Sequence, residues 1–164
     1  MKAVTVRELR KSLKEHSRED LMEMCLQLSK FKKENKELLT YILFESAHEE
    51  GYVEGIKEEI DIQFDAINTR TFYYIKKSVR KILRMVKKFI RYSKNKETEL
   101  ALLIHFCGKL LEIKPSIKKN RMLSNIYIRE RNSIEKKIEK LHEDLQLDFQ
   151  NLLEELTQKE PDFY

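Results

Sequence analysis

The chain has 164 residues, a formal net charge of +5 and 37% charged residues, but only three glycines and two prolines. This length suits a single domain that can bury a core without disulfides or metal ions. Scarce glycine and proline, with abundant Leu, Ile, Lys and Glu, favour long helices and exclude a turn-rich sandwich or barrel. We therefore expect an all-α fold: a single-domain multi-helix bundle of about six to seven amphipathic helices over residues 1–160, with a frayed tail at 161–164.

Hydropathy and the two cysteines indicate the cellular compartment in which the chain is expected. No uncharged stretch of about 18 residues is present, and the first residues lack the apolar run of a signal peptide, so no membrane span and no secretion are predicted. Cys25 and Cys107 both fall at apolar helical positions, which predicts reduced, buried thiols in place of a disulfide. The chain is therefore expected to be cytoplasmic.

Capping signals divide the first 50 residues into three predicted helices. Thr5 with Glu8 begins a short helix at about 5–15, and Ser17 with Asp20 begins a second one. The apolar stripe of the second helix consists of Leu21, Met24, Cys25, Leu28 and Phe31. The third helix, at about 34–48, is expected to bury Leu38, Leu39, Ile42 and Leu43.

The segment RELRKSLKEHSREDLMEMCLQLSKFKKENKELLTYIL contains two leucines four apart, a Ser-capped helix and a K-x-x-K-E helix, in that order. In this pattern it resembles the opening of an uncharacterised family of small all-helical bacterial proteins of unknown function. The basic helix and the long C-terminal helix that follow are also similar to that family. The resemblance implies the helical fold and transfers no activity and no catalytic residue.

Charge is strongly segregated in the middle of the chain. Residues 45–65 carry eight acidic side chains against Lys57 alone, whereas residues 66–96 carry no acidic side chain. Apolar spacing predicts an acidic helix after Gly51 and a basic helix at about 70–94. One face of the basic helix is apolar, and the other carries eight cations that we call the basic strip: Lys76, Lys77, Arg80, Lys81, Arg84, Lys87, Lys88 and Arg91.

The remaining sequence predicts two helices. The first spans about 97–113 and ends before Pro115. The second is a long closing helix from Ser116 to Leu156, with 131–133 as a candidate break, and its apolar stripe contains Ile134, Ile138, Leu141, Leu145, Phe149, Leu152 and Leu156. The core is expected to be enclosed by the second and third helices, the basic helix, the helix at 97–113 and the closing helix. The short helix at 5–15 is expected to pack over them as a lid.

The basic strip is the sharpest functional signal in the sequence. Eight cations along about 20 Å of helix, without intervening acids, form a surface that suits a phosphate backbone. Tyr73 and Lys94 extend the strip, and further cations would enlarge it if the following segment packs alongside: Lys114, Lys118, Lys119, Arg121, Arg129 and Arg131. The alternative is a merely solvated face, or one that lies beside the acidic segments 45–65 or 139–155.

Signals for chemistry are weak. Glu45 with His48, and Glu139 with His142, have the Glu-x-x-His spacing of di-iron carboxylate bundles, but each glutamate points away from the apolar face of its helix. His16 and His105 have no evident nucleophile or carboxylate partner, and no catalytic or nucleotide-binding motif occurs. We therefore expect no metal, cofactor, small-molecule substrate or catalytic residue.

These observations favour a non-enzymatic helical protein-interaction module or adaptor that binds a protein partner or associates with itself. The alternative is a nucleic-acid-binding protein that contacts phosphates through the basic face 76–91.

Overall fold

The fold is entirely helical in the part of the chain that is described. A computed structural model describes residues 1–160, and the tail expected at 161–164 lies outside that range. Within it are eight α-helices, a π-helical turn at Tyr41–Glu45 and a 3-10 turn at Ile117–Lys119. The helices are α1 (Val6–Leu13), α2 (Arg18–Phe31), α3 (Lys33–Thr40), α4 (Glu49–Asp65), α5 (Phe72–Ser93), α6 (Lys96–Glu112), α7 (Arg121–Ile138) and α8 (Glu143–Thr157). The all-α prediction is confirmed, although six to seven helices were expected.

The chain divides into two compact units, Met1–Glu45 and the residues from Ser46 onward. We call them the amino-terminal unit and the bundle. The prediction that residues 1–160 fold as one domain stays a prediction.

Local hydrogen bonds set the first two helices of the amino-terminal unit. The Thr5 hydroxyl oxygen accepts from the Glu8 amide at 3.3 Å, while the Glu8 carboxylate accepts from the Thr5 amide at 2.8 Å. Ser17 and Asp20 repeat this reciprocal arrangement at 3.1 and 3.2 Å. Each pair satisfies amide groups that would otherwise lack a partner at a helix start, so both predicted capping boxes are confirmed.

Burial in the amino-terminal unit differs from the prediction. Helices α1, α2 and α3 contain no buried residue, and Tyr41 in the π-helical turn is the one buried apolar side chain of residues 1–45. Leu38 and Leu39 are half-buried, whereas Ile42 and Leu43 are exposed. The prediction that the second and third helices enclose the core is therefore wrong. Three short helices have too few neighbours within this unit to cover their apolar stripes.

Helix α6 lies at the centre of the bundle and contacts α4, α5, α7 and α8. Asn95 caps its first turn by accepting hydrogen bonds from the amides of Glu97 and Thr98. Apolar residues occupy nearly every side of α6, which is typical of a helix surrounded by others. Its buried apolar residues are Leu100, Leu102, Leu103, Phe106, Cys107 and Leu110.

Helices α4 and α5 form one side of the bundle. The acidic helix α4 buries Tyr52, Ile56, Ile60 and Phe64, although it was not expected to enclose the core. Gly55 leaves the helix intact and faces open space, where an added side-chain carbon would meet no neighbouring element within 4 Å. Helix α5 ends at Lys94, whose left-handed backbone (φ 58°) directs its amide to the Ile90 carbonyl at 2.9 Å.

The prediction of one continuous closing helix from Ser116 to Leu156 is wrong. A 3-10 turn precedes α7, and a turn at 139–142 separates α7 from α8, while the candidate break at 131–133 is continuous helix. His142 adopts an extended backbone and caps α8, and the Gln146 side chain donates to the Leu141 carbonyl at 3.0 Å. Because the apolar spacing from Ile138 to Leu145 stays in phase across the turn, the pattern gave no sign of the break.

No helix within residues 1–160 is long and apolar enough to cross a membrane.

Candidate nucleic-acid and protein-interaction surfaces

The basic strip lies on the outer face of α5, opposite its core face. Ile75, Val79, Ile82 and Val86 are almost completely buried, as their helical spacing predicts. Six of the eight strip residues are exposed, and Lys76 and Lys88 are half-exposed. The amphipathic pattern of α5 therefore translates directly into one buried face and one charged face.

Most of the strip has no counter-charge among the described residues. Within residues 1–160, no carboxylate lies within ion-pair distance of six of its cations: Lys76, Lys77, Arg80, Lys81, Arg84 and Arg91. Lys87 pairs with Glu130, and the Lys88 ammonium lies 4.6 Å from the centre of the Phe89 ring. Six neighbouring cations that have no carboxylate partner in the described part of the chain leave a surface of unbalanced positive potential.

Two carboxylates of the acidic helix α4 have partners on α5 and α6 outside the strip. The Asp61 carboxylate lies 2.6 Å from Nε2 of His105 and 3.7 Å from Nζ of Lys109, both on α6. Glu49 accepts hydrogen bonds from the hydroxyl groups of Ser93 and Thr98. Asp61 of α4 therefore pairs with α6, and Glu49 binds hydroxyl groups at the end of α5 and the start of α6.

An acidic groove of about 550 Å³ lies where α4 and α6 begin, lined by Glu49, Glu50, Val53, Glu54, Asn95, Glu97, Thr98, Ala101 and Phe149. Four of these side chains are glutamates, so the bundle presents a negatively charged surface as well as the basic strip.

Helix α7 lies beside α5 and runs in the same direction. The Arg80 guanidinium contacts the Met122 sulfur at 2.7 Å, and seven residues later Nζ of Lys87 lies 2.9 Å from Oε1 of Glu130. The same oxygen is 2.9 Å from Nη2 of Arg129. Arg129 is thereby held next to the Lys87 end of the strip. Arg129 is one of the cations that would enlarge the strip if this segment packed alongside, and it shares the Glu130 carboxylate with Lys87.

Arg131, one of the cations that would enlarge the strip if the following segment packed alongside, forms an ion pair outside the strip. Its Nη1 lies 3.5 Å from the Glu160 carboxylate, which also accepts a hydrogen bond from the Tyr127 hydroxyl at 2.7 Å. Burial and this hydrogen bond raise the pKa of Tyr127, because both favour the protonated hydroxyl. Arg131 therefore helps to tie α7 to the end of the described chain.

Glu130 is the buried carboxylate that the sequence did not single out. It is 2% exposed and lies between Lys87 and Arg129. Burial and the nearby Glu130 charge raise the pKa of the Cys107 thiol, so this cysteine stays protonated and inert. Cys107 is buried as expected, whereas Cys25 is exposed and the prediction for it is wrong.

Two tyrosines begin the charged face of α5. Tyr73 is 66% exposed and Tyr74 is 46% exposed, and their ring centres are 5.4 Å apart in an edge-to-face arrangement. Tyr73 was expected to extend the strip, and Tyr74 was missed because its position lies at the border between the two faces of α5.

Two apolar grooves mark the amino-terminal unit. One, of about 270 Å³, lies between α2 and α3 and is lined by Cys25, Leu28, Ser29, Asn35, Leu38, Leu39 and Ile42. The Asn35 side chain donates to the Leu28 carbonyl at 2.8 Å and holds the two helices together. The second, of about 560 Å³, is lined by Val6, Leu9, Arg10, Leu13, Lys14, His16 and Leu21.

Two of the four histidines, His105 and His142, contact carboxylates of the bundle. His105 has a carboxylate partner, Asp61, that the sequence did not reveal because the two residues are 44 positions apart. His142 caps α8, with Nδ1 located 3.1 Å from the Asp144 carboxylate. In the part of the chain that the structure describes, no group of three or more His, Cys, Asp or Glu side chains is arranged to hold a metal ion.

Comparison of the chain with protein-family models, with curated proteins and with solved structures found no match to any of them.

Proposed function

We propose that this chain is a non-enzymatic helical protein-interaction module, and that its amino-terminal unit binds a second copy of the same chain. The observation that carries the proposal is the exposure of apolar side chains in that unit. Ten large ones between residues 6 and 44 are exposed: Val6, Leu9, Leu13, Met22, Leu26, Leu28, Phe31, Ile42, Leu43 and Phe44. Exposed apolar surface on this scale is typical of an interaction site.

The size of the exposed surface fits a dimer. Taking about 100 Å² for full burial of one such side chain, and about half of it exposed, the ten residues present roughly 500 Å² of apolar area. One side of a standard interface covers about 800 Å², of which about 65% is apolar in homodimers, and this is also roughly 500 Å². One partner of ordinary size would therefore cover this surface.

Charge and architecture favour a second copy as that partner. Residues 1–45 contain ten basic and eight acidic residues, so two copies can approach without strong repulsion. Helices α2 and α3 form a pair joined by the single residue Lys32. Two such pairs, related by a two-fold axis, would bury their apolar faces against each other as a four-helix bundle does.

Sedimentation velocity of the full chain, from about 1 to 100 µM, tests the proposal because a dimer must form by mass action. The wild type should rise from 19.8 kDa towards twice that mass. The variant Leu28→Glu/Phe31→Glu should stay monomeric. The matched control, Ile62→Glu/Leu147→Glu, changes equally exposed residues of the bundle and should dimerise as the wild type does. A wild type that stays monomeric at every concentration would refute self-association.

The second candidate function is nucleic-acid binding through the basic strip. It is supported by the six strip cations that have no carboxylate within ion-pair distance in residues 1–160. In an oligonucleotide titration at about 50 and 200 mM salt, a phosphate-binding strip should lose affinity steeply as the salt rises. Binding should also disappear in the variant Lys77→Glu/Lys81→Glu/Arg84→Glu. It should persist in the equally charged control Lys136→Glu/Lys140→Glu/Lys159→Glu, which changes exposed lysines outside the strip.

A further inference from the structure

We infer that Tyr73, Tyr74 and the basic strip form one site for single-stranded nucleic acid, in which the strip binds phosphates and the tyrosine rings stack on bases. The inference rests on the second candidate function and deepens it by naming the ligand class.

The tyrosines belong to the same surface as the cations. Lys77, Arg80 and Arg84 follow Tyr73 by four, seven and eleven residues, which places all four on one side of α5. Lys81 and Lys88 follow Tyr74 by seven and fourteen residues, with the same consequence. From Tyr73 to Arg91 the surface is about 27 Å long, equal to about eight nucleotides at the 3.4 Å spacing of a stacked strand.

The tyrosine rings are available for stacking. Both side chains are substantially exposed, and their edge-to-face arrangement leaves ring surface open to solvent. Bases stack on such rings without sequence preference, because every base has a π-face, whereas the nearby cations attract the backbone.

The tyrosine rings favour a single strand over a duplex. They lie on the exposed face of α5, whose core face is buried against α4 and α6. A duplex keeps its bases stacked on one another, so only unpaired bases can stack on the two rings. A single strand can lie along the surface, with its bases turned towards the tyrosines.

The site has little competing negative charge. Residues 66–96 contain no acidic side chain, and Glu130, at the strip's edge, is contacted by both Lys87 and Arg129. A strand bound along α5 therefore meets cations over most of its length.

The test is fluorescence anisotropy of the full chain with a labelled oligothymidylate of about twelve nucleotides, and with a duplex of equal length. We expect tighter binding to the single strand, and an affinity loss of about a hundredfold between 50 and 200 mM salt if about five phosphates are contacted. Tyr73→Ala/Tyr74→Ala should weaken single-strand binding roughly tenfold or more, and Tyr73→Phe/Tyr74→Phe should retain it because stacking needs only the ring.

The possible outcomes separate the two ideas. Equal affinity for single strand and duplex would overturn the stacking site and leave phosphate binding intact. The same conclusion would follow if Tyr73→Ala/Tyr74→Ala bound as the wild type does while Lys77→Glu/Lys81→Glu/Arg84→Glu did not bind. No binding of either probe at the lower salt concentration would overturn both. Photocrosslinking of a thiouridine-containing strand to the wild type gives an independent readout, since the adduct should map to the peptide that contains Tyr73 and Tyr74.

Discussion

The amino-terminal unit and the bundle have similar sequence patterns but very different interiors. Both contain amphipathic helices with clear start signals, yet Tyr41 is the one buried apolar residue of residues 1–45, whereas the described part of the bundle has 24 of them. The bundle's helices meet around α6, and the amino-terminal helices have no such centre. Helical periodicity therefore specifies which side of a helix is apolar, and the number of neighbouring helices decides whether that side is covered.

Thiol labelling should give the largest contrast between the two regions. In native Cys107→Ala, the remaining Cys25 is exposed and should react quickly with a neutral thiol reagent. In native Cys25→Ala, Cys107 should react slower by about a thousandfold or more, because it must wait for the bundle to open and because its raised pKa disfavours the thiolate.

The rate for Cys25 should be measured at several protein concentrations, since this residue lines the groove between α2 and α3. If self-association covers that groove, labelling of Cys25 should slow as the protein concentration rises. Similar rates for the two cysteines in dilute native protein would contradict the contrast.

Truncating one phenylalanine in each region should change stability very unequally. Phe106 on α6 is fully buried and contacts Phe64, whereas Phe31 at the end of α2 is 77% exposed. Phe106→Ala should lower the free energy of unfolding by about 3–5 kcal/mol through lost burial and a cavity.

Phe31→Ala should change the same quantity by less than about 0.5 kcal/mol in the monomer. Urea unfolding followed by circular dichroism measures both variants, at a protein concentration where the chain is monomeric. Equal losses would show that Phe31 is covered in solution.

Acid should weaken the amino-terminal helices by a smaller, specific effect. Hydrogen bonds from Thr5 lower the pKa of Glu8, and those from Ser17 lower the pKa of Asp20. A carboxylate whose pKa is lower in the folded state stabilises that state at neutral pH, and this contribution is lost as the pH falls below about 4.

Amide exchange of α1 and α2, followed by NMR as the pH is lowered, measures the effect. In the wild type, protection of the α1 and α2 amides should fall as the pH is lowered. In Glu8→Gln/Asp20→Asn, their protection should already be lower at neutral pH and should depend less on pH. Helix α6 is the internal control, because its core does not depend on these two carboxylates. If wild type and variant lost protection in parallel, the capping carboxylates would not be the cause.

The candidate site was partly predictable. The eight cations of the basic strip follow from helical spacing alone, because Ile75, Val79 and Ile82 fix which face of α5 is buried. The contacts of Arg80 with Met122 and of Lys87 with Glu130 join residues more than 40 positions apart. No local pattern contains such information, so neither contact could be expected from the sequence.

The sequence by itself determined the helical class, the two capping boxes at Thr5 and Ser17, and the division of α5 into an apolar and a basic face. These depend on interactions within three or four residues, which the residue order specifies directly. Only the tertiary structure decided that α6 is the central helix, that Cys25 is exposed while Cys107 is buried, and that the closing segment turns at 139–142. Burial is a property of neighbours that are distant in the sequence, and an apolar stripe looks the same whether or not another helix covers it.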